Sequence, residues 1–406
     1  MKARSRTALI VAFVLALTVS LTLVGWTSRT SGSSASSSTI TIGASIPLSG
    51  PLAGFGSFEK WGYQHAVDLV NAAGGITVDG QKKKVKLILL DDKTDPNQTA
   101  ANVDRLITSN HVDALLGSCT PALVNAGAVV ADRNSVPMVT ACDPLEAFKS
   151  VKKWQYTWDL FFDEPDLAHA PFATLQAWGS KTNHKIAIVH DNGPDGQGLG
   201  GQAWPALAKA FKYTIVYNVS VPVLSTEFGS VIQNAKAKGA DILLVDLVTP
   251  PAIAITKQLA SANYHPKVLV IEKGAEPVQY AQALGKLADG VLVGGYWDPS
   301  FPYPGAKQIT ALFEKQTHQT FSQHIADSMA AAQVLMDAMA RAQTTDKAKV
   351  NAAIAQTNKT YVVGPIHFDA NHTSKLPMVE LQWQSGKTYV VWPRGKATGK
   401  FLFPRP

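Results

Sequence analysis

Hydrophobic positions along the chain follow two alternating patterns. Short, nearly continuous apolar runs predict buried strands, and the segments between them, where apolar residues recur every third or fourth position, predict amphipathic helices. The predicted strands lie at residues 39–46, 85–90, 112–116, 136–140, 185–190, 214–221, 241–246, 268–271, 290–293, 379–383 and 388–391. Strands that alternate with helices in this way indicate an α/β fold with parallel sheets covered on both faces.

Local end signals mark several of the helices. Asp95-Pro96 predicts a capped start for a helix that runs to Ser109, because aspartate caps helices and proline suits their first turn. Ser57 is predicted to cap the first helix, which ends at Gly74-Gly75. Further helices are predicted near 121–133, 165–178, 322–342 and 347–356.

The N-terminus has the pattern of an export signal. Lys2, Arg4 and Arg6 precede a charge-free apolar run, and small polar residues follow it. Residues 1–25 are therefore predicted to be a signal peptide, with an uncleaved membrane anchor as the alternative. Residues 26–38 are predicted to form a flexible Ser/Thr-rich linker. Trp26 stands where a bacterial lipoprotein would carry its cysteine, so lipidation there is excluded.

The composition argues against two classes of partner, nucleic acids and metal ions. The chain has 37 basic and 30 acidic residues, but four of the bases lie in the first 38 residues, which leaves a charge of +3 for the rest. This charge does not indicate a nucleic-acid partner. Two cysteines cannot form a four-thiolate zinc site, and no metal is expected.

The one glycine-rich motif is a weak indication of a cofactor. Gly196, Gly198 and Gly201 match the dinucleotide pattern, but residues 191–195 separate the motif from the preceding strand, and the next strand ends without an acidic residue. The sequence also lacks a phosphate-binding lysine loop and a nucleophile elbow. We therefore expect no cofactor and no enzymatic activity.

A set of ordered motifs does identify a family. In the first 140 residues and again near residue 190, the chain resembles the leucine/isoleucine/valine-binding proteins of bacterial ABC importers. The residues that carry this resemblance are Ile42-Gly43, Pro47-Leu48-Ser49-Gly50-Pro51, Gly56, Val67-Asp68, Asn71-Ala72-Ala73-Gly74-Gly75-Ile76, Asp91-Asp92, Asp95-Pro96, Val112-Asp113-Ala114, Val136-Pro137 and Lys185-Ile186-Ala187-Ile188-Val189-His190-Asp191 with Gly196 and Gly198.

The resemblance implies the type I periplasmic-binding fold, in which two doubly wound parallel-sheet lobes are joined by a multi-crossing hinge. Lobe 1 is expected at 39–157 plus 298–361, and lobe 2 at 162–296 plus 363–395. The implied protein is exported to the periplasm or cell surface and is a monomer. It closes around a small molecule, an amino acid or a related carboxylate or amide, and delivers it to an ABC permease. The alternatives are a sensor on the same fold with a separate membrane partner and, more remotely, an exported enzyme.

Two loops of lobe 1 are candidates for ligand contact. They follow predicted strands and precede helices, which is where α/β sheets bind ligands and where free N–H groups can hold an anion. Family members hold a ligand carboxylate with these loops, and Phe55 matches an aromatic residue that covers the ligand. The alternatives are helix capping for the hydroxyls and a core contact for Phe55. The loop candidates are Ser118, Cys119, Thr120, Thr140, Ala141 and Cys142.

Lobe 2 departs from the family pattern. Asp195 replaces a family tyrosine, and a second aromatic position falls on Val248 or Thr249. The acidic residue that pairs with the ligand amine falls on Glu272 or Lys273, with the alignment favouring Lys273. Asp195 could bind the amine instead, or these charged residues could point to solvent.

The two cysteines end neighbouring loops. An exported protein meets an oxidising compartment, so a Cys119–Cys142 disulfide is one expectation, provided that the side chains face each other. Two buried thiols lining the cleft are the other.

Overall fold

The computed structural model of the protein describes residues 39–406. The predicted signal peptide (1–25), the linker (26–38) and the position of Trp26 lie outside these residues. In the part of the chain that the structure describes, no helix has the length and apolar character needed to cross a membrane.

The described chain forms strands and helices that alternate over most of its length. The strands are β1 (Ile40–Ile46), β2 (Ile76–Val78), β3 (Gln81–Lys83), β4 (Val85–Asp91), β5 (Ala114–Leu116), β6 (Met138–Thr140), β7 (Thr157–Phe161), β8 (Lys185–Asp191), β9 (Thr214–Val221), β10 (Ile242–Leu247), β11 (Val268–Lys273), β12 (Leu292–Gly295), β13 (Asn358–Tyr361), β14 (Gly364–His367), β15 (Thr373–Lys375), β16 (Val379–Gln384) and β17 (Lys387–Trp392).

The helices flank these strands. They are α1 (Ala53–Ala72), α2 (Pro96–Thr108), α3 (Pro121–Arg133), α4 (Leu145–Val151), α5 (Glu164–Ala177), α6 (Pro194–Gly198), α7 (Trp204–Ala210), α8 (Gly229–Ala237), α9 (Thr249–Ser261), α10 (Gln279–Leu284), α11 (Ala306–Thr317), α12 (His324–Ala342) and α13 (Lys347–Ala355).

Two mostly parallel sheets organise the molecule. The first has the strand order β15-β7-β6-β5-β1-β4, and all of its pairs are parallel. The second has the order β17-β16-β12-β11-β10-β8-β9, in which β16 and β17 add antiparallel pairs at one edge. The predicted α/β class with two parallel-sheet units is confirmed.

Helices cover both faces of the first sheet. Leu115 of β5 packs with α2 and α3, whereas its neighbour Leu116 belongs to the larger core that includes α1 and α12. Successive side chains of a strand point to opposite faces, so these two contacts place a core on each side of the sheet. The pattern of a doubly wound sheet is therefore present in the packing itself.

The chain passes between the two sheets three times, in residues 161–164, 295–306 and 375–379. The predicted lobe limits differ from the sheet pairing at two points. β7 lies wholly in the first sheet although the prediction ended lobe 1 at 157, and β15 pairs with β7 through Thr373 and Asp159 although the prediction put it in lobe 2. β15 has only three residues, and its polar sequence carries no apolar pattern.

Most of the predicted helix ends agree with the structure, but the predicted start of the first helix does not. Asp95 caps α2 by accepting a hydrogen bond from the backbone N–H of Asn97 at 2.8 Å. The prediction that Ser57 caps α1 is wrong, because α1 begins at Ala53 and the Ser57 hydroxyl donates to the Gly54 carbonyl inside it. The helix starts directly after the breaker run, so the aromatic Phe55 lies in its first turn.

Candidate ligand-binding site

A cavity lies where the carboxyl ends of strands from both sheets meet. It encloses about 450 Å³, including its opening to solvent. Its lining comes from the segments that follow β5, β6 and β7 on one side and from strand ends and loops around β8, β10 and β11 on the other. The lining residues are Phe55, Cys119, Thr120, Pro121, Cys142, Pro144, Phe161, Phe162, Glu164, Leu167, Asp195, Leu199, Asp246, Glu272, Lys273 and Glu276. This position agrees with the rule that α/β sheets bind ligands beyond the carboxyl ends of their strands.

The two loops on the first-sheet side are tied together. Cys119 and Cys142 form a disulfide with their Cα atoms 4.9 Å apart. The Thr120 N–H donates to the Cys142 carbonyl at 3.0 Å. Thr120 and Cys142 both have positive φ, 73° and 81°, a region that costs free energy for residues other than glycine. The cross-links hold this strained backbone at the wall of the cavity.

Two of the three predicted hydroxyl ligands, Ser118 and Thr140, point away from the cavity. The buried Ser118 hydroxyl donates to an Asp92 carboxylate oxygen at 2.9 Å, and the buried Thr140 hydroxyl donates to the Ala141 carbonyl at 3.2 Å. Gly117 permits this packing, because a Cβ there would collide with Thr140. The structure therefore places Ser118, Thr140 and Ala141 behind the wall.

Aromatic rings form the apolar part of the wall. Phe55 is 2% exposed and lies edge-on to His324, with ring centroids 5.0 Å apart. Phe161 and Phe162 stand next to each other with centroids 4.2 Å apart. The two phenylalanines follow directly from β7, a strand that the hydrophobic pattern did not predict.

Lys273 is the centre of an ion network on the second-sheet side. Its ammonium lies 2.7 Å from Asp191, 2.7 Å from Asp195 and 3.7 Å from Asp246. Burial alone would lower the pKa of Lys273, but the attraction of Asp195, Asp246 and Asp191 outweighs it and raises the pKa. The lysine is therefore charged and already surrounded by carboxylates.

Glu272 also faces the cavity. One of its carboxylate oxygens accepts the Gly294 N–H at 2.8 Å, and the other has no hydrogen-bond partner. Burial, with a contribution from Glu380, raises the pKa of Glu272 well above its usual value. Glu272 and Lys273 were the two alternatives for the position of the family's acidic residue, and both of them line the cavity.

A second buried ion network backs the cavity at Glu276. His324 lies between Glu276, 2.6 Å from its Nε2, and Asp327, 2.9 Å from its Nδ1. Tyr296 also donates a hydrogen bond to Asp327. Burial alone would lower the pKa of His324, but Asp327 and Glu276 raise it to about 10. His324 is therefore an imidazolium at neutral pH.

Two further acids complete the lining. Burial, the neighbouring Glu146 and Asp195 raise the pKa of Glu164 to about 7. Burial also raises the pKa of Asp246 well above its usual value, against the attraction of Lys273. One oxygen of Asp246 has no hydrogen-bond partner.

Part of this lining agrees with the residues predicted from the sequence. Seven predicted residues line the cavity: Phe55, Cys119, Thr120, Cys142, Asp195, Glu272 and Lys273. Val248 lines a neighbouring hollow at the mouth of the cleft, and Thr249 is buried in the first turn of α9.

Other lining residues were missed. Asp246 ends a predicted strand, so the strand-end rule applied to that strand would have found it. Glu276 and His324 are 48 residues apart and meet only through the fold, so no sequence signal indicated them.

The glycine motif serves close packing, and the two cysteines are bonded to each other. Gly196 and Gly200 let the α6 segment pack closely on β8, against Asp191 and His190, in the way expected for a small-residue helix start. Cys119, Cys142 and His324 have donor atoms within 4.8 Å of one another. The sulfurs are joined to each other, however, and both ring nitrogens of His324 face carboxylates, so this set does not fit a metal ion.

Two doubly wound sheets with a cavity between them define a two-lobed α/β protein of the periplasmic-binding type. The chain belongs to the periplasmic binding protein family, whose model matches residues 39–388. It is 25% identical over 395 residues to Leu/Ile/Val-binding protein homolog 7 of Brucella suis, an alignment that covers 92% of this chain and 96% of that one.

Solved structures share the fold. The branched-chain amino acid transporter substrate-binding protein LivJ of Streptococcus pneumoniae, in complex with isoleucine, superposes with a TM-score of 0.77 at 22% identity, covering 86% of this chain and 98% of that one. An ABC transporter solute-binding protein of R. palustris in complex with benzoate has a TM-score of 0.75 at 18% identity, covering 90% and 99%.

Proposed function

We propose that the protein is an extracytoplasmic solute-binding protein that captures a small molecule between its two lobes and delivers it to an ABC import permease. The observation that carries the proposal is the cavity between the carboxyl ends of the two sheets, which both lobes line.

The proposed ligand cycle starts with docking on one lobe. The ligand first contacts the wall around Phe55 and the disulfide-linked loops, and closure of the hinge then adds Asp246, Glu272 and Lys273. Three chain crossings between the sheets support a hinge of this kind, because a few short connecting segments can absorb the rotation of two rigid lobes. Closure lets a permease distinguish the loaded protein from the empty one.

Export and the ligand class belong to the same proposal. The basic and apolar pattern of residues 1–25 and the family relatives support export. The protein would act as a monomer without enzymatic activity, and its two lobes would follow the division described by the two sheets. The relatives that hold isoleucine and benzoate make amino acids, carboxylates and amides the first compounds to test.

A thermal-shift panel of these compound classes tests the proposal. A ligand that binds the folded state alone stabilises it by ~2.7 kcal/mol at a hundredfold excess over the dissociation constant. We expect at least one small molecule to raise the melting temperature and the substitution Phe55→Ala to weaken that effect. Chemical turnover of the bound compound by the purified protein would contradict a role as a carrier.

A further inference from the structure

The cavity has many more acids than bases. Lys273 is the one ammonium among its lining residues, and the described lining contains no arginine. Five carboxylates face the same space: Glu164, Asp195, Asp246, Glu272 and Glu276.

Both available cations are already neutralised. Lys273 contacts Asp191 and Asp195 at 2.7 Å and also has Asp246 at 3.7 Å. His324 is held between Glu276 and Asp327. Each cation therefore has at least two carboxylates, and Glu272 has no cation within salt-bridge distance among the described residues. An added anion would therefore find no free cation in the cavity to bind it.

Two buried oxygen atoms of this cluster lack a donor. Asp246 is 2% exposed and Glu272 is 1% exposed, and each has one carboxylate oxygen without a hydrogen-bond partner. Buried polar atoms in folded proteins are nearly always hydrogen-bonded, so such acceptors at the wall of a cavity indicate that a donor is missing. The two residues lie side by side, since Asp246 and Glu272 are register partners on the adjacent parallel strands β10 and β11.

Several of the groups expected to hold a carboxylate are engaged elsewhere, and the Thr120 hydroxyl is the exception at the cavity wall. The Ser118 and Thr140 hydroxyls donate to Asp92 and to the Ala141 carbonyl, and the Thr120 N–H donates to Cys142. Pro121 has no N–H to offer at the start of α3. This side of the cavity therefore presents few donors to an anion.

The apolar wall suits an organic cation. Phe55, Phe161 and Phe162 line the same cavity as the acids. Aromatic faces attract cations, and they also accept the hydrocarbon part of an amine. A ligand with an ammonium at one end and an apolar body would contact both walls.

We propose that the ligand is a small organic cation with a protonated amine and no carboxylate, whose ammonium binds between Asp246 and Glu272 while its apolar part packs on Phe55, Phe161 and Phe162. The inference rests on the proposed function and specifies its ligand class. It separates this protein from relatives whose structures hold isoleucine or benzoate.

Four matched compounds test the two parts of the inference separately. Leucinamide carries an amine and no carboxylate, leucine carries both, 4-methylpentanoate carries only the carboxylate, and 4-methylpentanamide carries neither charge. We measure their affinities for the full chain by titration calorimetry near neutral pH, with 1,4-diaminobutane as a second cation. Leucinamide or 1,4-diaminobutane should bind about tenfold or more tightly than the other three, because only an unaccompanied ammonium can form charge-assisted hydrogen bonds with the acids of the cavity without bringing in a carboxylate that finds no free cation.

Isosteric variants locate the amine site. Asp246→Asn and Glu272→Gln keep the shape of the wall and remove the charge, so each should weaken binding of the cation by about tenfold to a hundredfold. The matched control Asp68→Asn removes an exposed carboxylate outside the cavity and should leave the affinity unchanged. The compound series on the unmodified protein gives the same information if a variant folds poorly.

The outcomes distinguish the inference from the function on which it rests. If leucine or 4-methylpentanoate binds as tightly as the cations, or if 4-methylpentanamide equals leucinamide, the inference is wrong and the carrier function stands. If no compound of any class binds, the carrier function fails together with the inference.

Discussion

Lys273 is the residue on which the charge balance of the cleft depends. It bridges three acids that belong to or follow two strands of the second sheet, β8 and β10, and its side chain is only 11% exposed. A buried cation among several acids is costly to remove, because its loss leaves uncompensated buried charges. Its positive φ of 60° places it where the strand ends and the ammonium can reach all three partners.

Lys273→Met should therefore lower the free energy of unfolding by about 3 kcal/mol, measured by urea denaturation. Lys267→Met is the matched control, since Lys267 pairs with Asp241 at 2.8 Å but is 44% exposed at its side chain. An exposed pair contributes at most about 1 kcal/mol. Equal losses in the two variants would show that the network around Lys273 does not stabilise the fold.

Glu164 should give the empty protein a pH-dependent stability. It faces Glu146 and Lys149 of α4 and Asp195 of α6, with Asp163 beside it at the start of α5. Burial raises its pKa from 4.5 to about 7 in the folded state. Between these two pH values the folded protein keeps a proton that the unfolded chain has lost. The stabilisation of the fold by protonated Glu164 is therefore complete below pH 4.5 and disappears as the pH rises through about 7.

Melting curves between pH 4.5 and pH 8 measure this effect. The unmodified protein should lose stability with rising pH more steeply than Glu164→Gln, in which this group no longer titrates. Glu227→Gln, at an exposed position, is the control and should keep the slope of the unmodified protein. A Glu164→Gln slope equal to that of the unmodified protein would contradict the assignment.

At the scale of elements, the loops that follow β5 and β6 form one wall because they are cross-linked. The disulfide joins residues 23 positions apart, across the whole of α3. Closing a loop of this length stabilises a fold by about 3 kcal/mol in the chain-entropy model. The wall that carries Cys119 and Cys142 should depend on that bond.

The double substitution Cys119→Ala with Cys142→Ala should lower the free energy of unfolding by about 3 kcal/mol. Reducing the unmodified protein should give the same loss, and reduction should leave the variant unchanged. If oxidised and reduced protein unfold at the same urea concentration, the cross-link does not contribute to stability.

The strands and helices of the fold could largely be predicted, since apolar periodicity marks them directly. α3 and β9 have the predicted bounds, and β4, β8 and β16 differ by one residue. β7 was missed because its five residues, TWDLF, include a buried aspartate that interrupts the apolar run. The Ser57 cap failed because glycines in the first turn of α1 look like a loop in the sequence.

The site could be predicted only in part. The rule that ligands bind beyond the carboxyl ends of strands indicates which loops lie at the cavity, but it does not indicate where their side chains point. The loops at 118–120 and 140–142 do lie at the cavity, yet the Ser118 and Thr140 hydroxyls turn inward to Asp92 and to the Ala141 carbonyl. The pairing of Glu276 with His324 depends on segments far apart in the chain. No local pattern encodes such a contact.

At the scale of the whole molecule, the proposed function requires the two lobes to move. Short crossings join sheets whose strand ends face one cavity. A ligand that contacts both lobes favours the closed arrangement by its differential affinity for the two states. Closure should then be visible as a change in overall dimensions.

Small-angle X-ray scattering measures this change. Saturating leucinamide should reduce the radius of gyration of the unmodified protein, and the same concentration should have a smaller effect on Asp246→Asn, which binds less. An unchanged radius at a saturation verified by calorimetry would contradict hinge closure while leaving binding itself intact.

The most direct test of the charge-selective cleft is a crystal structure of the protein grown with leucinamide. The account predicts that the compound lies in the cavity between the sheets, with its ammonium within hydrogen-bond distance of Asp246 and Glu272 and its alkyl group against Phe55 or Phe161. Leucinamide that contacts one lobe only, or that turns its ammonium away from these carboxylates, would contradict it.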